Sequence, residues 1–258
     1  MRLALFDLDH TLLSADSDVL WCEFMIVEGR LAPMLAEYYQ DMALRYEAGT
    51  VTPTDYCTFH ARALAGLTPA ELRPLRQRFF ESCVRPRIPD DSRVLLRRRR
   101  ELGETLVLTT ATSRVVSELT AADLGVDHYL CTELERDTAG CYTGRTAGVP
   151  NMRSGKIDRL RQWLREAGHP EELLRDASFY SDSINDLALL SAVKRPIVVD
   201  PDPRLESTAH RKGWSVLRLN RPVSAVASEV ERSPVSTLVP EPPHASERRG
   251  RERQGRSA

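Results

Sequence analysis

From Thr105 to Leu219 the chain alternates short apolar runs with helical stretches, and few architectures satisfy that alternation. TLVLTTATS leads into RVVSELTAADLG. DHYLC is followed by a small turn-rich segment around CYTG, then by the helix GKIDRLRQWLREAG. SFYSD leads into INDLALL, PIVVD into LESTAHRKG, and SVLRL closes the series. Short apolar runs without an alternating polar face belong to strands buried on both sides. Such strands separated by helices make a parallel sheet with helices on both faces. Leu3–Phe6 has the same character and is assigned to that sheet, although the next comparable run begins only at Thr105. The expected fold class is α/β, with a Rossmann-like parallel sheet.

The gap between those first two strands is filled by helical patterns. VLWCEFMIVEGRLAPMLAEYYQDMALRYEAG places apolar residues three and four apart, and Gly49 and Pro53 break it. Another helix is expected from about Thr54, and LTPAELRPLRQRFFESCV is a third stretch. In the last, Thr68 reads as an N-cap, Pro69 as the first helical residue and Glu71 as the partner in a capping box. The expected organisation is a core from 1–14 and 91–221, an all-helical insertion at 15–90 and a tail at 222–258. The tail is rich in Pro, Ser, Arg and Glu, and its composition predicts disorder. RRRR at 97–100 reads as a solvated helical face.

Composition narrows the function classes. Thirty-six basic and 37 acidic residues leave a formal charge of -1, which calls for neither nucleic acid nor a membrane surface. No apolar run approaches the roughly 20 residues of a membrane span. The five cysteines, at 22, 57, 83, 131 and 141, are widely spaced without a CxxC pair. They read as free thiols in a reducing cytoplasm.

In open parallel sheets, ligands bind beyond the carboxyl ends of the strands. After the first strand come Asp7, Asp9 and Thr11; after TLVL come Thr109, Thr110 and Thr112; after SFY come Ser181, Asp182, Asn185 and Asp186. Lys156 stands ahead of a helix. Several carboxylates on one edge repel each other unless a cation neutralises them. Magnesium takes oxygen ligands, usually one or two carboxylates, and Asp7 with Asp182 would suffice. Residues i and i+2 of an extended segment face the same way, so Asp7 and Asp9 serve one centre. One carboxylate can attack phosphorus while the other moves the proton of the leaving alkoxide. Thr110 and Lys156 would hold the phosphoryl oxygens. Singly, each piece has a plainer reading: the Asp pair as a turn cap, Thr110 as a helix N-cap, Lys156 as a surface lysine, and DSIND as an acidic helix start. The argument lies in their ordered recurrence at the ends of one sheet.

DLDHT, the strand with TAT, the lysine of GKIDRL, and SDSINDLALL together resemble the four motifs of the haloacid dehalogenase superfamily. The resemblance spans roughly residues 1–220, and the insertion looks like the helical-bundle cap of the phosphoserine-phosphatase-like branch (subfamily IB). FDLDHTLLSADSDVLWCEF, YSDSINDLALL and PDPRLESTAHRKGW are similar to a subgroup that includes histidinol-phosphatases. The resemblance implies a Mg2+-dependent phosphatase acting through an aspartyl-phosphate. Asp7 is then nucleophile and metal ligand, and Asp9 is general acid/base with its main-chain carbonyl on the metal. Thr110 and Lys156 bind the phosphoryl group, and Asn185 assists them. Asp182 binds the metal directly, and Asp186 reaches it through water. Two departures stand out: His10, where the family more often has a small residue or Asn, and TAT in place of a serine-glycine-glycine turn.

The expected partner is a small phosphorylated metabolite, with L-histidinol phosphate ahead of phosphoserine; the oligomeric state is left open. Asp16, with Asp18, sits at the base of the insertion, either to pair with a substrate amine or to cap the first helix. Glu23 is a weaker candidate on the same helix. Phosphoserine would require an arginine such as Arg45 or Arg62; histidinol phosphate could stack on Trp21 or Phe24. A receiver-like signalling module is disfavoured by length and by the position of the DxD. Dehalogenases and phosphonatases are disfavoured by the acid at Asp9. Phosphotransfer to an alcohol shares the same intermediate and stays open, and a non-catalytic binding protein would not need every chemical position intact.

Overall fold

Arg2–Phe6 (β1) form a central strand of the sheet in the computed structural model, which describes residues 1–219. The expectation of a disordered tail at 222–258 lies outside the described residues. After β1 come four helices: α1 (Ser17–Val27), α2 (Leu35–Glu47), α3 (Pro53–Arg62) and α4 (Pro69–Phe79). A π-helical turn at Phe80–Val84 and a 3-10 turn at Arg85–Arg87 lead to α5 (Asp90–Glu101). Then follow β2 (Glu104–Ser113), α6 (Arg114–Leu124), β3 (His128–Thr132), and a hairpin of β4 (Leu134–Arg136) and β5 (Tyr142–Thr146). The series closes with α7 (Ser154–Glu166), α8 (Glu172–Arg175), β6 (Ser178–Ser181), α9 (Leu187–Ala192), β7 (Arg195–Val199), α10 (Pro203–Lys212) and β8 (Ser215–Leu217).

Six strands pair in parallel in the order β3-β2-β1-β6-β7-β8. Side chains of β1 alternate between two cores, as a period of two requires. Leu3 and Leu5 meet Val107, Phe179 and Val198 with Leu160, Leu189 and Leu205 from α7, α9 and α10. Ala4 and Phe6 face the opposite way, toward Leu106, Leu108 and Tyr180 and toward helices α1, α4, α5 and α6. Phe6 and Tyr180 stack with centroids 4.7 Å apart, which clamps β1 to β6 just below their carboxyl ends.

Local sequence explains the helix starts. Thr68 accepts a hydrogen bond from the Glu71 amide while the Glu71 carboxylate accepts from the Thr68 amide, the expected capping box. Thr52 caps α3 ahead of Pro53, its hydroxyl accepting from the Asp55 amide, without the reciprocal bond to its own amide. β2 runs through TTATS to Ser113, so Thr110 lies within the strand and is not the helix N-cap of the plainer reading. Thr109 Oγ1 accepts there from the Asn151 amide nitrogen and Thr112 Oγ1 donates to Asp9. The hairpin of β4 and β5 packs on α3, and Gly144, at φ 79°, lets it approach: a Cβ there would lie 3.3 Å from the Arg62 Cα. Among the described residues no helix is long and apolar enough to cross a membrane.

Candidate active site

Asp7 is the first residue past β1, and its amide still donates to the Tyr180 carbonyl at 2.9 Å. The chain then turns tightly, with the Leu8 carbonyl accepting from the amides of Thr11, Leu12 and Leu13. Leu8 is buried in the core while Asp7 and Asp9 line a cavity of about 70 Å³. The alternation expected of an extended segment therefore places both carboxylates on one wall. His10 completes the turn at φ 55°, an uncommon conformation for a side chain with a Cβ, and also lines the cavity. The ends of β2 and β6 flank Asp7, so Thr110, Thr112, Asp182 and Asp186 reach the same space.

Lys156 enters from the first turn of α7 and is buried at 2% exposure. Its ammonium donates to Asp7 Oδ1 and to Asp186 Oδ2, each at 2.7 Å. Burial alone would lower its pKa, but the charges of Asp186 and Asp7 outweigh burial and raise it. Asp186 accepts a further bond from Ser181 Oγ at 2.8 Å. The position of Lys156 depends on Gly155, where a Cβ would stand 2.2 Å from the Pro150 carbonyl oxygen.

Asp7 and Asp182 are held by one hydroxyl. Thr11 Oγ1 lies 3.3 Å from Asp7 Oδ2 and 3.0 Å from Asp182 Oδ1, and it accepts from the Asp182 amide at 3.1 Å. A hydroxyl has one proton, so only one of the two carboxylates receives it at a time. Burial pushes the Asp7 carboxyl up to about 7 against the pull of Lys156, with Asp186 and Asp9 adding to the rise. Asp182 is raised well above the usual range by burial and by the Asp7 charge. This oxygen-only donor set suits a hard divalent cation, whose charge would reverse both shifts. Among the described residues no three acids, histidines or cysteines close into a cage.

Asp9 is oriented separately. Thr112 Oγ1 donates to its Oδ2 at 2.6 Å, and the Ser17 amide donates to its Oδ1 at 2.9 Å. Burial raises its pKa and Asp16 adds to the rise, while the bonds from Thr112 and Ser17 oppose it. Thr110 is fully buried on the cavity wall, and its hydroxyl accepts from the Thr112 amide at 3.2 Å. Asn151 sets the strand end that carries both threonines: its amide nitrogen donates to Thr109 Oγ1, the Thr110 carbonyl and the Leu130 carbonyl.

The helical side of the cavity is made by Asp16, Asp18, Ala43, Tyr46 and Tyr56. Asp16 is the N-cap of α1: its Oδ1 accepts from the Asp18 and Val19 amides, both at 2.9 Å. Capping and cavity lining are thus combined in one side chain. Asn185 does not line the cavity. Its Oδ1 accepts from Arg153 Nε at 3.2 Å and its amide donates to the Tyr46 carbonyl at 3.3 Å, tying the strand end to α2. Trp21 and Phe24 are not available for stacking on a ligand. Both are buried against Phe79, because the apolar side of α1 packs on α4. Tyr46 and Tyr56 are the aromatic walls instead. Arg45 is exposed and pairs with Asp41, and Arg62 and Glu23 are also exposed. A larger cleft of about 510 Å³ lies at the opposite end of the strands, near Lys194, Arg195, Lys212 and Trp214, far from the acids.

Sequence reasoning singled out Asp7, Asp9, Asp16, Thr110, Lys156, Asp182 and Asp186, and the structure brings these to one cavity. It gave no role to Thr112, Ser17, Asn151, Tyr46 or Tyr56. Thr112 had a signal, since it shares the strand parity of Thr110. Asn151 had none, being a loop residue after a proline.

A family model described as haloacid dehalogenase-like hydrolase matches residues 4–191. A histidinol-phosphatase of Neisseria meningitidis serogroup C (strain 8013) is 34% identical over 217 residues, 84% of this chain and 98% of that protein. A phosphoserine phosphatase of Mycobacterium tuberculosis (strain ATCC 25618 / H37Rv) is 29% identical over 222 residues, 83% of this chain and 69% of that one. Among solved structures, a protein with unknown function from Bordetella pertussis Tohama I matches with a TM-score of 0.77 and 38% identity, covering 84% of this chain and 97% of that one. A substrate-bound phosphoserine phosphatase matches at a TM-score of 0.63 and 15% identity, over 84% of this chain and 92% of that chain, which is a likeness of fold.

Proposed function

The chain belongs to the haloacid dehalogenase-like hydrolases and is a phosphatase of that family, and from that premise we propose that it hydrolyses L-histidinol phosphate through a phosphorylated Asp7. The observation that carries the substrate reading is the charge of the cavity. Six aspartates line it, and Lys156 is the only lysine or arginine among the described lining residues. Phosphoserine would bring a carboxylate to a wall without an arginine. Histidinol phosphate brings an ammonium and an imidazole, which suit the acids and the tyrosine faces. The histidinol-phosphatase relative supports the same reading.

In this mechanism an Asp7 oxygen attacks phosphorus in line with the ester oxygen. Lys156 favours the ionised form of Asp7 against burial and then offsets the charge on the phosphoryl oxygens, with the Thr110 hydroxyl as a second donor. Asp9, which burial favours in its protonated form, gives its proton to the leaving alkoxide. It then takes a proton from the water that attacks the phosphorylated Asp7, so one carboxyl serves both half-reactions. The bonds from Thr112 and Ser17 hold it in place for each. Magnesium, held by Asp7, Asp182 and the Asp9 carbonyl with Asp186 in an outer position, would supply the remaining positive charge. The helices α1–α4, the proposed cap at 15–90, would close over the substrate and exclude bulk water. We place the enzyme in the cytoplasm, on the evidence of its thiol usage and the nature of its substrate.

The test is phosphate release from histidinol phosphate, phosphoserine and generic esters, with magnesium, with EDTA, and with Asp7→Asn. Histidinol phosphate should give the highest kcat/KM. EDTA should abolish release, and Asp7→Asn should lower it by more than about a thousandfold. Equal rates on all esters would refute the substrate assignment. Full activity of Asp7→Asn would refute the mechanism.

A further inference from the structure

Beside the active-site cavity lies a second, much smaller one of about 10 Å³, room for about one water, lined by residues that include Asp18, Cys57, His60 and Ala111. Asp18 and Ala111 line both cavities, so together they form the partition between them. Asp18 is 6% exposed, and its carboxylate makes no hydrogen bond among the described residues. Both ring nitrogens of His60 are buried and also lack a hydrogen-bond partner. Rings surround the imidazole: Tyr56 at 4.5 Å, Tyr39 at 5.0 Å and Phe59 at 5.3 Å between centroids. Tyr56 in turn forms part of the active-site wall.

Two buried nitrogens without a partner, in a cavity that Asp18 also lines, are costly. An apolar pair would pack there at no such cost. A buried group of this kind calls for a partner, and a water in the small cavity that bridges to a ligand supplies one. The ionisation states fit that role. Burial pushes Asp18 up to about 8, with the Asp9 charge adding, and it pushes His60 down to about 4 against the pull of Asp16. His60 is thus a neutral imidazole with one donor and one acceptor, and Asp18 is a carboxyl that a cation would ionise.

We propose that Asp18 and His60 form the specificity end of the active site, where they bind the nitrogen-bearing end of the phosphate ester opposite the phosphoryl group. Asp18 gives its proton to solvent and pairs with the ammonium, and His60, behind the partition, reaches the remaining nitrogen through a water in the small cavity. This rests on the reading that the substrate carries a basic nitrogen. Of the two acids at the base of the insertion it selects Asp18, because Asp16 Oδ1 is already committed to capping α1. The chemical class is a phosphate monoester of an amino alcohol with a further nitrogen group that both donates and accepts.

The experiment compares kcat/KM for histidinol phosphate with that for glycerol phosphate, which has no nitrogen, in wild type, His60→Phe, His60→Gln and Asp18→Asn, with a thermal melt of each. The ratio of the two values should fall at least tenfold in His60→Phe and Asp18→Asn, chiefly through KM. His60→Gln, which keeps a donor and an acceptor, should recover part of the loss. A ratio within twofold of wild type in both His60→Phe and Asp18→Asn would overturn the proposal. So would parallel losses on both esters with a lowered melting temperature, which mark a structural role. Should His60→Phe not fold, Asp18→Asn carries the comparison alone. A wild type without preference for histidinol phosphate would remove the functional reading and this proposal with it; a flat ratio with that preference intact removes only this one.

Discussion

Replacing Asp18 with Asn should stabilise the empty protein, and by an amount that grows with pH. The Asp18 carboxyl is pushed up to about 8 by burial and by the Asp9 charge, whereas an unfolded chain releases that proton near 4. Between those values the folded state holds a proton that the unfolded state has lost. Stability therefore falls as pH rises through this window, by at most about 1.4 kcal/mol per unit for this group. Asn carries no titrating proton, so the difference between variant and wild type should be flat below about pH 4 and should widen up to about pH 8. At pH 7 the widening amounts to some three units, or up to about 4 kcal/mol. For a chain of this size that is a melting temperature higher by roughly 5–15 °C. The α1 cap is untouched, because Asp16 bonds the backbone amide at position 18 and not its side chain. Calorimetric melts of both proteins at pH 4, 5, 6, 7 and 8, without ligand and with chelator, give the difference directly. A difference that stays constant over that range, or that narrows as pH rises, would mean that Asp18 ionises freely in the folded state. The reasoning from burial would then be wrong.

Two further perturbations test the frame around the acids. Thr112→Val is close in shape but removes the 2.6 Å bond to Asp9; kcat should fall about 10- to 100-fold with KM within twofold, as expected of a misplaced proton carrier, and a change in KM alone would place Thr112 in substrate binding instead. Gly155→Ala puts a Cβ 2.2 Å from the Pro150 carbonyl oxygen, so the start of α7 must shift; urea unfolding should show a loss of about 1–3 kcal/mol, and an unchanged midpoint would show that the turn before α7 yields freely.

The parts legible in the sequence were those governed by local periodicity or by strand ends. Short apolar runs bounded by turns and separated by helical patterns suit strands covered on both sides, so the parallel sheet followed from Leu3–Phe6, TLVL, SFY and PIVV. Acids placed just past such runs must share one edge, which is why Asp7, Asp182 and Asp186 meet. The Thr68 capping box could be read because every partner lies within three residues. The parts that stayed hidden depend on what packs against what. The hydroxyls of TTATS were legible as a strand end, but their contacts with Asn151 and Asp9, distant in sequence, were not. The β4–β5 hairpin is too short and polar to announce itself before it meets α3. In α1 the buried residues run from Ser17 to Met25 around much of the helix, so no apolar stripe shows which side faces Phe79 and which faces the cavity. Hence Trp21 and Phe24 looked available for a ligand, and His60, one histidine among the aromatic residues of α3, attracted no notice.

The same packing explains why so many acids are tolerated in so small a space. The two ends of the cavity are unlike in charge. Near β1 and α7, Lys156 stands between Asp7 and Asp186 and offsets them. Toward α1, Asp16 and Asp18 face no lysine or arginine among the described lining residues, and burial raises the pKa of each. A ligand that is anionic at one end and cationic at the other satisfies both ends at once, with its phosphate on Lys156 and its ammonium on the α1 acids. Phosphoserine adds a carboxylate close to the ammonium, where Asp16 and Asp18 would repel it and among the described lining residues no arginine can receive it. An amino alcohol phosphate without that carboxylate meets no such repulsion. Discrimination on this reading comes as much from a group the cavity would reject as from one it would hold. The stability lost by burying Asp18 without a partner is the energetic basis of that selectivity, because it is recovered only when a cation arrives.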